Sequence, residues 1–223
     1  MESPTSNSDL NIAKPISSIT FTLTNLLTFL TIMAPFLLTF FMIMLSIVNN
    51  SIVKGLLFLI GLVIVAYLTH LLKSLLKERQ SPLASPICNI LPFVTRGQLL
   101  HERVIFSSPI LSTALLGYIS SYLIFPMYIN NDVNNPLLIF LVALFGINSV
   151  TELWKKCGTL GGVVLGAIVG ISFGMLYYGM IAGSGYKDLA YFSEIKSNAQ
   201  GCKKPSDQKF KCVTYKRGEK PMW

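Results

Sequence analysis

The run CGTLGGVVLGAIVGISFGMLYYGMIAGSGY, residues 157–186, has no charged side chain and repeats glycine at every fourth position through its first half. That spacing stacks Gly158, Gly162, Gly166, Gly170 and Gly174 near one face of an α-helix. The result is a groove almost without side chains. Lipid tails are as apolar as leucine, so helices in a bilayer associate by close van der Waals packing, for which small residues leave room. The stretch predicts a membrane-spanning helix built to be packed against, with the five glycines as its packing site.

Four further uncharged runs precede it, at residues 15–53, 55–72, 104–131 and 133–151. Each reaches the roughly 18–20 residues that a helix needs to cross about 30 Å of hydrocarbon. The chain is 52% hydrophobic and only 13% charged, with a mean hydropathy of +0.59, outside the range of ordinary soluble domains. The runs do not alternate polar with apolar residues, which argues against a β-barrel. The expected fold is therefore all-α: a polytopic helical membrane bundle of about five transmembrane helices. The spans are placed at about 19–48, 55–76, 105–129, 133–151 and 157–183 within a bundle at 15–186. A polar segment at 1–14 precedes the bundle, and a basic, cysteine-containing tail at 187–223 follows it. The first run contains Pro35 and reads as one long tilted or kinked helix, or as a helix plus an interfacial piece. Residues 1–13 hold no basic side chain, unlike a cleavable signal.

Basic residues suggest an orientation. Lys73, Lys77, Arg79, Arg96 and Arg103 fall in the loop at 73–103, and Lys155 and Lys156 lie between the last two spans. The positive-inside rule places both loops in the cytoplasm and the tail on the opposite side. That tail is itself basic, with nine Lys and Arg. The five basic residues of the long loop are candidates for holding anionic lipid headgroups, each contributing about 1 kcal/mol near an anionic leaflet. Pro82, Pro86 and Pro92 argue for a structured segment on the membrane face rather than a continuous helix.

Of four cysteines, Cys202 and Cys212 lie in the tail, where a disulfide would staple a segment too small to hold a core. Two free thiols are the alternative, imposed by a reducing compartment. Cys88 and Cys157 read as ordinary thiols. Phe210 to Lys220 alternates like a strand and ends in an Arg217-Gly218 turn, so the tail is expected to form a hairpin.

Little points to chemistry. His101 beside Arg103 could act as a base near an anion, but such a pair more often marks a membrane interface. The runs contain no charge, so the buried acids and bases of an ion pathway are not expected. Asn25, Asn148, Ser107, Ser108, Ser112, Ser120 and Ser121 read as interhelical hydrogen-bonding groups, or less readily as the lining of a polar path. No catalytic set, metal-ligand cluster, cofactor motif or nucleic-acid-binding pattern stands out.

From residue 73 to residue 178 the layout resembles the type 2 phosphatidic acid phosphatase superfamily. There a basic loop follows one span, a serine motif opens the next, and a third motif straddles the start of the last span. Residues 73–82, Phe106-Ser107-Ser108-Pro109 and residues 151–166 occupy those places. The family's third motif carries Ser-Arg, then His, Asp and Gly. With the last Gly at Gly166, this chain has Thr151-Glu152, Gly158 and Gly162 at the other positions. The second motif lacks its His, and Arg79 is followed by Gln80 instead of an Arg-Pro pair. The resemblance thus implies a relative without its nucleophile. The tail around Cys212, Tyr215, Lys216 and Gly218 looks like short segments in membrane proteins of large DNA viruses. That likeness implies a virion inner membrane or a host endoplasmic-reticulum-derived membrane.

The function expected is that of a non-enzymatic structural or scaffolding membrane protein. It would contact the bilayer, anionic lipids among it, and reach another membrane protein or a capsid protein through its tail, with homo-oligomerisation open. A phosphatase-like lipid enzyme and a small-solute transporter are the alternatives.

Overall fold

The computed structural model describes residues 22–81, 83–85, 88, 96–99, 102–131, 133–186 and 189; of 96–99 and 102–105 only the backbone is described. The helices are α1 (Leu23–Val48), α2 (Ile52–Leu76), α3 (Leu111–Ile129), α4 (Asn135–Trp154) and α5 (Leu160–Gly183). All five are long and apolar enough to cross a membrane. At about 1.5 Å per residue even the shortest reaches roughly 28 Å. The chain is an all-α, multi-pass integral membrane protein.

Between α2 and α3 a small antiparallel hairpin pairs β1 (Arg96–Leu99) with β2 (Glu102–Ile105), with Arg96 opposite Ile105 and Gln98 opposite Arg103. The hairpin expected in the tail lies outside the described residues, as do Cys202, Cys212 and His101.

The first uncharged run forms one helix with Pro35 inside it. Thr22 caps it, its side chain accepting from the Asn25 N–H at 3.4 Å. Six of its seven buried positions, Thr28, Ile32, Pro35, Thr39, Met42 and Ser46, fall on one stripe at alternating steps of four and three. Half of that stripe is hydroxyl-bearing, while Phe40 and Phe41 are exposed toward lipid. The turn into α2 is held by Ser46, whose hydroxyl donates to the Ser51 carbonyl and accepts from the Gly55 N–H at 3.0 Å.

Helix α3 is the hub. Among the five it has the lowest hydropathy, yet 78% of its apolar stretch is buried, against 33% or less for each of the others. This order inverts that of a water-soluble protein. Lipid accepts Leu, Ile and Phe at no cost, so the helix carrying Ser112, Thr113, Ser120, Ser121, Tyr118 and Tyr122 is the one withdrawn into protein.

Its main partner is α5, along the glycine stripe. A Cβ at Gly166 would stand 2.7 Å from the Ile110 carbonyl oxygen. One at Gly170 would collide with the Ala114 carbonyl and lie 2.9 Å from the Tyr118 nitrogen. Gly174 meets Tyr118 and Ser121, Gly162 meets Ser108, and Gly158 meets the Ile110 side chain. The bare stripe is therefore occupied within the same chain. In contrast, Gly179 and Gly183 have nothing within 4 Å.

Aromatic rings fill the space between α2, α3 and α5. Tyr118 stacks on Phe58 with centroids 5.7 Å apart, and Tyr122 meets Tyr177 and Tyr178. Two hydroxyls find backbone acceptors: Tyr118 donates to the Phe58 carbonyl at 3.1 Å, and Tyr177 to that of Leu57 at 2.8 Å. Gly61 makes the first of these possible. A Cβ there would sit 2.8 Å from Tyr118 Cζ and 2.9 Å from a Tyr177 ring carbon.

Candidate functional site

One end of the bundle gathers the polar chemistry. The last turn of α2 supplies Lys73, the first turn of α3 supplies Ser112, and the last turn of α4 supplies Glu152. Lys73 is 6% exposed and Glu152 4%. Both line a cavity of about 60 Å³ shared with Gln80, Ser107, Ser112, Ile32, Phe36 and the cysteines Cys88 and Cys157. The Ser112 hydroxyl donates to Glu152 Oε1 at 2.5 Å, and Lys73 lines the same cavity. One turn deeper, Asn148 Nδ2 donates to Thr113 Oγ1 at 3.4 Å. The Ser107 and Ser108 hydroxyls are buried and make no hydrogen bond with the described residues.

The two connections on this face are stitched together above the cavity. Cys88 and Cys157 form a disulfide across 69 residues of sequence. Ser85 N–H donates to the Lys155 carbonyl at 3.1 Å and Gln80 Nε2 to the Cys157 carbonyl at 3.3 Å, while within the longer connection Ser107 N–H donates to the Glu78 carbonyl at 3.0 Å. Below this lid, Thr159 caps α5 by accepting from the Gly162 N–H at 3.1 Å.

Three sequence expectations change here. Lys73, expected to meet lipid headgroups, is withdrawn into the cavity, because it continues the inward stripe Gly61, Val65 and Thr69 one turn further. Lys77 and Arg79 remain exposed, while Arg96 and Arg103 enter the hairpin as backbone. Cys88 and Cys157, expected as free thiols, are bonded, because the loops after α2 and after α4 fold over the same end of α3. Buried ionic groups, expected to be absent, are present as Lys73 and Glu152. Both helices extend past the uncharged runs, so the charges at the edges of those runs fall within the final turns.

The residues missed by sequence reading are Glu152, Gln80 and the cysteine pair. Glu152 did carry a signal: it stands four residues after Asn148 and eleven after Leu141, the only other buried residues of α4. The site brings an amine, a carboxyl group and hydroxyls together in a small, partly open volume. Among the described residues no three His, Cys, Asp or Glu side chains come together as a metal site.

The segments that carry the phosphatase resemblance converge in space. Lys73, Gln80, Ser107 and Glu152 share the cavity, Gly158 packs on Ile110, and Gly162 on Ser108. No family model, no curated protein and no solved structure matches the chain.

Proposed function

We propose that this protein is a non-enzymatic structural membrane protein, a scaffold built on the layout of a lipid-phosphate phosphatase with that layout's chemistry replaced. The observation that carries the reading is Glu152. It occupies the place that the resemblance gives to a phosphate-binding Arg, and it lines the cavity beside Lys73. A carboxyl group there offers a phosphate none of the paired charge-assisted hydrogen bonds that a guanidinium would supply. Lys73 is buried in the same cavity. Where the resemblance places a nucleophilic His and its Asp, Gly158 and Gly162 let Ile110 and Ser108 press against α5. On this reading the cavity is a structural joint between α1, α2, α3 and α4.

On this reading the bundle is a rigid membrane anchor. The basic tail is the part that meets a partner, a capsid component or another membrane protein. The tail's likeness to viral segments makes a virion inner membrane or an endoplasmic-reticulum-derived membrane the proposed site.

The test is direct. Purified protein reconstituted into liposomes containing phosphatidic acid is expected to release no phosphate above that of empty liposomes. Release that disappears in the Lys73→Ala and His101→Ala variants would make the protein an enzyme and end the scaffold reading.

A further inference from the structure

The disulfide fixes more than two loops. Cys88 follows α2 and Cys157 follows α4, so both sit on one membrane face, the face to which the short Lys155–Lys156 connection also belongs. Disulfides persist in oxidising compartments and are rare where glutathione and thioredoxin keep thiols reduced. Helix α5 begins three residues after Cys157 and, with 24 residues, crosses the bilayer once. The C-terminal end of α5 therefore lies on the other side.

We propose that the Cys88–Cys157 face lies in an oxidising lumenal or extracellular compartment, and that the basic tail is delivered to the cytoplasmic side, where an anionic leaflet is the surface its charge fits. This reverses the orientation given by counting loop charges. Two observations weaken that count. Lys73 is buried against Glu152 and presents no charge to a surface. The tail carries nine Lys and Arg against four Asp and Glu, a net of +5, whereas the rest of that face holds only Lys54, in the first turn of α2, and Asp132. With the disulfide face outward, the largest block of positive charge in the chain comes to lie inside, beside anionic lipids that attract it. The same orientation leaves Cys202 and Cys212 in a reducing compartment as free thiols. The inference stands apart from the scaffold reading, since an enzyme could be oriented in the same way.

Sealed microsomes with their cytoplasmic side outward test it, using full-length protein with an epitope at its C-terminus. Trypsin added without detergent is expected to remove the epitope, because the tail is rich in Lys and Arg. Thiols are then counted by maleimide-polyethylene glycol in denatured samples quenched at harvest. Two cysteines are expected to react before reduction and four after it, with the Cys202→Ser/Cys212→Ser variant reacting only after reduction. An epitope protected until detergent is added would overturn the orientation. So would a Cys202→Ser/Cys212→Ser variant that reacts without reductant.

Discussion

Replacing Gly170 by Ala adds a single methyl group at the tightest point of the α3–α5 seam. Its Cβ would overlap the Ala114 carbonyl oxygen and stand 2.9 Å from both the Ala114 carbonyl carbon and the Tyr118 nitrogen. Comfortable carbon contacts begin near 3.5 Å, and all three neighbours are backbone atoms, so no rotamer change relieves the clash. Helix α5 must move off α3 by roughly 0.5–1 Å, a gap that forfeits a quarter to a half of each contact along the seam. Overpacking of this kind costs about 1–3 kcal/mol, and the rigidity of the neighbours puts Gly170→Ala near 3. That is roughly a hundredfold in the folding equilibrium. Gly166→Ala meets one carbonyl oxygen at 2.7 Å and its next neighbours only at 3.5 Å, so about half the effect is expected. Gly179→Ala meets nothing within 4 Å and is expected to be no less stable than the parent, gaining up to about 1 kcal/mol of helix propensity. That gain is common to all three positions and cancels in the comparison among them. Equilibrium unfolding in mixed micelles by titrated dodecyl sulfate, followed by circular dichroism, gives the order. Gly170→Ala and Gly179→Ala unfolding at the same midpoint would refute the seam as a source of stability.

The polar cavity makes a separate prediction. Glu152→Leu removes the acceptor of the buried Ser112 hydroxyl and is expected to destabilise by about 1–3 kcal/mol in the same titration, whereas Lys73→Met/Glu152→Leu, which also removes the buried amine, is expected to recover part of that loss; a double variant no better than the single one would show that the two groups do not act as a pair. Tyr177→Phe removes the donor to the Leu57 carbonyl and keeps the ring packing, so a loss of about 1 kcal/mol is expected. An unchanged midpoint would mean that this hydroxyl contributes nothing to the α2–α5 contact.

The existence and approximate placement of all five helices could be read from the chain before any coordinates. A bilayer demands about 20 consecutive residues without charge, and that demand is written locally in residues 15–53 and in the four runs after it. The four-residue repeat of glycine in α5 is likewise a property of one helix, read without knowledge of its neighbours.

What lies against that face was not legible, nor was the joint at the end of the bundle. That α3 is the hub follows from competition among five helices for lipid and for protein, and the winner is the one whose hydroxyls and tyrosines lipid serves worst. Lys73 and Glu152 belong to different helices, and each reads in sequence as the border of a span; only the folding of α2 and α4 around α3 makes them neighbours. The bond between Cys88 and Cys157 arises in the same way, from loops 69 residues apart lying over one helix end. Sequence determined which segments enter the membrane, because solvation is decided residue by residue. Tertiary structure decided which charges are buried and which cysteines meet, because pairing depends on distances that the packing of helices alone sets.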